Sequence, residues 1–130
     1  MNAYPLTLRV LAVGIIGVSL IHVLFGVSSE TFLGSSISET SLVDANLDSQ
    51  NRFYGAAFSL FSVVWWIGST DLERYKLLLT ASFIVFFIAG VSRLFSLVFF
   101  GLPTNPVIML LVIELILPPF LYVGLRRTVT

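Results

Sequence analysis

The stretch LVIELILPPF, Leu111–Phe120, carries one glutamate inside an apolar run and two adjacent prolines starting four residues later. The run extends from Pro106 to Leu125, and at about 1.5 Å per residue a helix of that length crosses the roughly 30 Å hydrocarbon core of a bilayer. A charged side chain at the centre of a bilayer costs about 2.5–3.5 kcal/mol, so such residues normally face other helices and find a partner. The stretch therefore predicts a membrane-spanning helix within a bundle, with a partner for Glu114 on a neighbouring helix.

The composition of the whole chain is also typical of a membrane protein. The 130 residues are 57% hydrophobic and 11% charged, whereas a soluble domain carries about 25% charged residues. The length fits one domain, residues 1–130, and is short for two. A net charge of zero without a basic stripe argues against a nucleic-acid partner. The absence of cysteine excludes disulfides, thiolate metal ligands and cysteine nucleophiles.

Four apolar runs have the length of a membrane span: residues 5–27, 53–69, 77–101 and 106–125. The sequence thus predicts an all-α membrane protein, an antiparallel bundle of four transmembrane helices. We interpret the first run as a retained helix, because no small-x-small cleavage site follows it. The longest connection, the outer loop of residues 28–52, is rich in serine and acidic residues.

The distribution of lysine and arginine predicts the orientation of the bundle, because cytoplasmic loops carry the excess of these residues. Five fall at one side, and only Arg52 falls at the other. The five are Arg9, Arg74, Lys76, Arg126 and Arg127. Both termini are therefore expected in the cytoplasm, and the outer loop on the opposite side of the membrane.

Each of the four spans places one ionisable group in the outer half of the bundle. Arg93 lies eight residues before the end of the third span and Glu114 eight residues after the start of the fourth, so both are about 12 Å deep. This equal depth on adjacent antiparallel helices predicts an ion pair between the arginine fork and the carboxylate. His22 lies about 7 Å deep in the first span, and Arg52 opens the second. We call His22, Arg52, Arg93 and Glu114 the outer polar node.

The faces of the helices support this placement. Gly55 and Ser59 share one stripe of the second span with Arg52, and small residues allow membrane helices to approach closely. Pro118 has no N–H to bond the carbonyl of Glu114, so a kink is predicted just below the glutamate, with freed carbonyls as extra acceptors at the outer polar node.

The outer polar node has two interpretations. The pair of Arg93 and Glu114 can be a structural clasp alone, or it can form a component of a site for a ligand or partner. His22 can be a hydrogen-bonded packing residue or a proton carrier. One histidine without a second nearby carboxylate makes a metal site improbable, and no catalytic or cofactor-binding motif is present, so neither catalytic residues nor a cofactor is expected.

Three segments resemble a family of small bacterial four-helix membrane proteins known only as a domain of unknown function. They are LDSQNRFYGAAFSLF at the second span, DLERYKLLL leading to GVSRLFSL in the third, and ELILPP in the fourth. The residues that match the pattern of the family are Asn51, Arg52, Phe53, Tyr54, Gly55, Arg93, Glu114 and Pro118. The resemblance implies a multi-pass protein of the bacterial cytoplasmic (inner) membrane. A relative from an opportunistic Gram-negative genus, linked to the permeability barrier of the envelope, implies a role but no reaction.

Three functions are compatible with the sequence. The first is a non-enzymatic envelope-maintenance or accessory protein that binds a membrane lipid, a quinone or a membrane partner at the outer polar node, with Arg52 and Arg93 holding an anionic group. The second is a small proton-coupled transporter that works as a homo-oligomer. The third is an intramembrane lipid-modifying enzyme with His22 or Glu114 as acid–base and Arg93 as anion clamp.

Overall fold

The computed structural model describes residues 3–129, and within that range the chain is helical without any β-strand. Four long helices form the body: α1 (Ala3–Phe25), α4 (Ala45–Gly68), α5 (Lys76–Phe100) and α6 (Asn105–Thr128). A 3₁₀ turn (Gly26–Ser28) and the short helices α2 (Ser29–Phe32) and α3 (Glu39–Leu42) connect α1 to α4. The predicted all-helical class is confirmed.

Three helical segments of the described residues are long and apolar enough to cross a membrane: residues 3–32, α5 and α6. The length of α4, 24 residues, would also suffice. Its first two turns, up to Arg52, are however mostly polar, which lowers its mean hydropathy. The structure therefore describes a protein with membrane-spanning character.

The segment predicted as the outer loop, residues 28–52, is largely helical. Helix α4 begins at Ala45, about two turns before the predicted second span. Asp44 caps this start, since its carboxylate accepts hydrogen bonds from the backbone N–H groups of Asn46 and Leu47 at 2.8 and 3.1 Å. The cap explains why the helix starts so early: it satisfies two of the N–H groups that the first turn leaves without partners.

The four long helices associate as two close pairs, α1 with α4 and α5 with α6, and contacts between the pairs are few. A glycine allows each close approach. A Cβ atom added at Gly55 would lie 2.6 Å from Cβ of His22, and one added at Gly90 would lie 3.0 Å from Cβ of Glu114. Any larger residue at either position would push its pair of helices apart.

The two pairs pack tightly against each other at the end of the bundle where α1 begins and α6 ends, and at the opposite end Thr104 Oγ1 donates a hydrogen bond to the carbonyl of Leu33. The buried cluster at the former end comprises Leu8, Ala12, Trp65, Leu79, Phe83, Phe86, Leu121 and Leu125. The fully buried indole of Trp65 donates a hydrogen bond to Ser82 Oγ at 3.0 Å, which ties α4 to α5. Helix α6 continues through Pro118 and Pro119 as one helix to Thr128, so the prolines do not interrupt it. Between the apolar cluster and the contact of Leu33 with Thr104, the pairs enclose a cavity.

Candidate functional site

The cavity between the helix pairs has a volume of about 630 Å³ and is lined by all four long helices. Along α1 its lining extends from Val10 to His22, which is about 18 Å at 1.5 Å per residue. Its deep region is apolar and includes Val10, Leu11, Ile15, Phe58, Trp65, Phe86 and Leu117. Its outer region carries the polar side chains of Ser19, His22, Glu30, Asn51, Tyr54, Arg93 and Glu114. The cavity is therefore amphipathic along its length.

Arg93 and Glu114 form the predicted ion pair. Arg93 Nε donates to Glu114 Oε2 at 2.7 Å, and Nη2 donates to Oε1 at 3.2 Å. Residues 101–104 connect α5 to α6 as a short turn, which brings the two side chains to the same level. Glu114 is 3% exposed, so both of its oxygens depend on the guanidinium, while Nη1 of Arg93 takes no role in the pair. The ion pair is confirmed, and its use in binding stays a prediction.

A second polar group, formed by His22, Glu30 and Asn51, faces the cavity. The sequence analysis did not predict that Glu30 belongs to it. His22 Nδ1 donates to the carbonyl of Val18 at 3.0 Å, which directs Nε2 to within 3.9 Å of Glu30 Oε1. The same carboxylate oxygen accepts a hydrogen bond from Asn51 Nδ2 at 2.8 Å. The Oδ1 atom of Asn51 in turn accepts from Ser29 Oγ at 3.1 Å, so the amide is held at both ends. Asn51 thus fixes Glu30 opposite His22.

A signal for Glu30 exists in the sequence. It follows His22 by eight residues, about two helical turns, so both lie on one face if the helical path continues. Residues 26–32 do continue that path as a 3₁₀ turn and α2. Because residues 28–52 were assigned to a loop, this spacing was not used to predict a contact. The argument against a metal site had assumed that no second carboxylate lies near His22, whereas Glu30 does. Even so, no three metal-ligating side chains come together within residues 3–129.

Arg52 lies outside the cavity lining, so the structure does not bring it together with the other three residues of the outer polar node. Its Nε donates to Asp48 Oδ2 at 2.7 Å, and its Nη1 donates to the carbonyls of Val23 and Leu24 at 2.7 and 3.0 Å. Arg52 therefore closes the C-terminal end of α1, where carbonyls lack helical donors. The expected anion clamp of Arg52 and Arg93 is not formed.

Asp48 completes this closure. Its Oδ1 accepts a hydrogen bond from the backbone N–H of Val27 at 3.2 Å. The hydrogen bond from Arg52 is the largest cause that holds the pKa of Asp48 below its ordinary value. The positive charge of Arg52 is thus matched by the carboxylate of Asp48.

The other residues named as supporting the site divide between the cavity and the helices. Tyr54 and Gly55 line the cavity. Ser59 does not line it, and its hydroxyl donates to the carbonyl of Ala56 at 2.6 Å within its own helix. Pro118 is buried and lines a smaller cavity of about 370 Å³ between α5 and α6.

Ser19 is the most informative polar residue that sequence reasoning left unused. It is 1% exposed and lines the cavity, and its hydroxyl has no hydrogen-bond partner among residues 3–129. A buried polar group without a partner costs about 1–3 kcal/mol. The sequence places Ser19 on the same stripe as His22, but only the structure reveals that its hydroxyl lacks a protein partner.

Comparison with known proteins identifies the family of the chain without assigning an activity. No curated protein and no solved structure matches it. The profile of DUF4345, a domain of unknown function, matches residues 5–125. That match includes nearly all of the four long helices and every residue that lines the cavity. The chain therefore belongs to the DUF4345 family of domains of unknown function.

Proposed function

We propose that this protein is a non-enzymatic membrane protein that holds one amphiphilic molecule, a lipid or a quinone, in the cavity between its two helix pairs. The observation that carries the proposal is that the cavity between the helix pairs is apolar in its deep region and polar in its outer region. Its volume lies within the range of about 300–1,000 Å³ that is common for small-molecule sites. The polar side chains would hold the head group, and the apolar side chains would enclose a single hydrocarbon chain.

The proposal includes four membrane spans, one for each long helix, with both termini in the cytoplasm. Arg9 Nε donates to Ser69 Oγ at 2.9 Å, so the start of α1 and the end of α4 lie at the same end of the bundle. Arg74, Lys76 and the basic C-terminal turn of α6 follow at that end. This basic end suits the cytoplasm. The polar region of the cavity would then lie in the outer leaflet of a bacterial inner membrane. From there the cavity could take up a lipid of that leaflet, which suits a role in envelope maintenance.

The two other functions fit the geometry less well. A proton-coupled transporter needs a polar path through the whole bundle, whereas the end beneath the cavity is filled by an apolar cluster that includes Leu8 and Phe83. An intramembrane enzyme has one observation in its favour, since His22 and Glu30 face the same cavity as Arg93. Chemical change of a bound lipid on incubation would favour the enzyme over the binding protein.

Native mass spectrometry of the detergent-purified protein tests the proposal, with two matched variants. Gly14 lines the cavity and Gly17 does not, yet a Cβ atom at either position would meet no atom within 4 Å. Gly14→Phe is therefore expected to fill the cavity without strain, and Gly17→Phe to leave it open. We expect a defined lipid or quinone adduct on the native chain and on Gly17→Phe, and its loss from Gly14→Phe. An adduct retained equally by both variants would overturn the proposed site.

The role in the envelope has its own test in cells that lack the native copy. Gly17→Phe should restore the resistance of the envelope to large antibiotics and detergents, whereas Gly14→Phe should not, at equal amounts of protein in the membrane. Full restoration by Gly14→Phe would separate the envelope role from the cavity.

A further inference from the structure

We propose that the head group held in the outer region of the cavity carries a primary ammonium, which donates hydrogen bonds to both Glu30 and His22. The inference rests on the proposed function, because it assumes an amphiphile in the cavity and specifies the chemistry of its head group. The class that fits is a zwitterionic, amine-bearing lipid.

The two ring nitrogens of His22 supply the first step. A carbonyl oxygen only accepts hydrogen bonds, so the 3.0 Å contact with Val18 requires a proton on Nδ1. In the neutral ring Nε2 is then an acceptor. It lies 3.9 Å from Glu30 Oε1, which is also an acceptor and too distant for a direct hydrogen bond. Two acceptors at this separation are satisfied together by one donor atom placed about 2.9 Å from each.

The charges of the cavity supply the second step. The charged side chains in its lining are Glu30, Arg93 and Glu114. Arg93 and Glu114 neutralise each other in a bidentate pair, and Arg52 lies outside the lining with Asp48 as its partner. Glu30 is therefore the charged group of the lining that has no arginine or lysine as its partner, since its Oε1 accepts from the neutral amide of Asn51. A cationic donor is attracted to this end of the cavity, and an anionic head group is repelled.

The guanidinium of Arg93 supplies the third step. Its Nη1 group takes no part in the bidentate pair with Glu114, and the side chain is 39% exposed and lines the cavity. This donor suits the phosphate and ester oxygens that follow the ammonium in an amine-bearing lipid. Acceptors for a cation and donors for oxygen atoms thus occur in one cavity.

Four single-chain probes with the same hydrocarbon chain, each carrying a spin label near its end, test the inference. Lysophosphatidylethanolamine has an ammonium with N–H donors, and lysophosphatidylcholine has the same net charge without them. Lysophosphatidic acid is anionic, and monoacylglycerol offers only hydroxyls. Binding is read as quenching of Trp65 fluorescence, in a Trp66→Phe background that leaves Trp65 as the sole indole. Trp65 lines the deep region of the cavity, so a bound chain brings the label close to it.

We expect the ethanolamine probe to bind at least tenfold tighter than the choline probe, equivalent to about 1.4 kcal/mol. Glu30→Gln should remove that difference without weakening the choline probe. Glu39→Gln, which alters an exposed carboxylate outside the lining, serves as the matched control and should keep it. Circular dichroism and the melting temperature would verify that both variants are folded.

Two other outcomes would overturn either the ammonium head group or the proposed function. Equal affinity for the ethanolamine and choline probes, or tightest binding of the anionic probe or of monoacylglycerol, would overturn the ammonium and leave the proposed function intact. A failure of every probe to quench Trp65, with no co-purified amphiphile, would overturn the proposed function itself.

Discussion

Replacing Arg93 with methionine is expected to destabilise the protein more than replacing Glu114 with leucine, although both changes break the same ion pair. The asymmetry follows from burial. Glu114 is 3% exposed and receives two hydrogen bonds from Arg93, at 2.7 and 3.2 Å, so Arg93→Met leaves a buried carboxylate without its partner. The side chain of Arg93 is 39% exposed, so in Glu114→Leu the guanidinium can still reach water or lipid head groups.

The magnitudes can be set from these contacts. Removing one partner of a buried pair costs about 3–5 kcal/mol, and the lower end applies here because the denatured chain in micelles also finds polar partners. We therefore expect a loss of about 3 kcal/mol for Arg93→Met. Glu114→Leu should cost about 1–2 kcal/mol, close to the loss of one charge-assisted hydrogen bond. The double variant replaces the pair with apolar side chains and should lose less than the sum of the two single changes.

Reversible unfolding in mixed micelles, with increasing mole fraction of a denaturing detergent, measures all four proteins of this cycle. The coupling energy is the difference between the loss in the double variant and the summed losses in the single variants. Additive losses, or a greater loss for Glu114→Leu than for Arg93→Met, would refute the argument from burial. Either result would mean that the carboxylate does not depend on the guanidinium for its solvation.

Three further predictions concern the rest of the bundle. Gly55→Ala places a Cβ atom 2.6 Å from the helix opposite and should cost about 1–3 kcal/mol in the same unfolding assay, whereas Gly17→Ala meets nothing and should not destabilise. Equal stability of the two variants would contradict the close approach of α1 and α4. Because Arg52 holds the pKa of Asp48 below its ordinary 3.8, this pair stabilises the fold fully above that pH and loses the contribution as the pH falls through the lowered pKa. The acid decline of the melting temperature should therefore be shallower in Asp48→Asn, and an identical decline would exclude the pair as its cause. A cysteine at exposed Ser36, in a chain that has no native cysteine, should react with an impermeant maleimide in intact spheroplasts, and reaction only after lysis would reverse the proposed orientation.

The pair of Arg93 and Glu114 shows what helix geometry made predictable. A fixed rise per residue gives the depth of each side chain along its helix, and a short turn between antiparallel helices sets both at the same level. The two residues lie 21 positions apart with residues 101–104 between their helices, so their pairing follows from counting. The apolar excess of the chain likewise sufficed to predict helices with membrane-spanning character, because lipid requires the backbone to satisfy its own hydrogen bonds.

The sequence by itself determined the helices, their apolar character and the depth of each charge, because these depend on periodicity and composition along one segment. Only the tertiary structure decided the partners of Arg52 and Glu30. Arg52 turns to the carbonyls of Val23 and Leu24, and Glu30 faces His22 because residues 26–32 continue the helical path beyond the predicted end of the first span. The cavity and the orphaned hydroxyl of Ser19 are also tertiary, since they arise between the two helix pairs. The distance between the two helix pairs depends on how side chains from all four helices pack together, so it cannot be predicted from the pattern of any one segment.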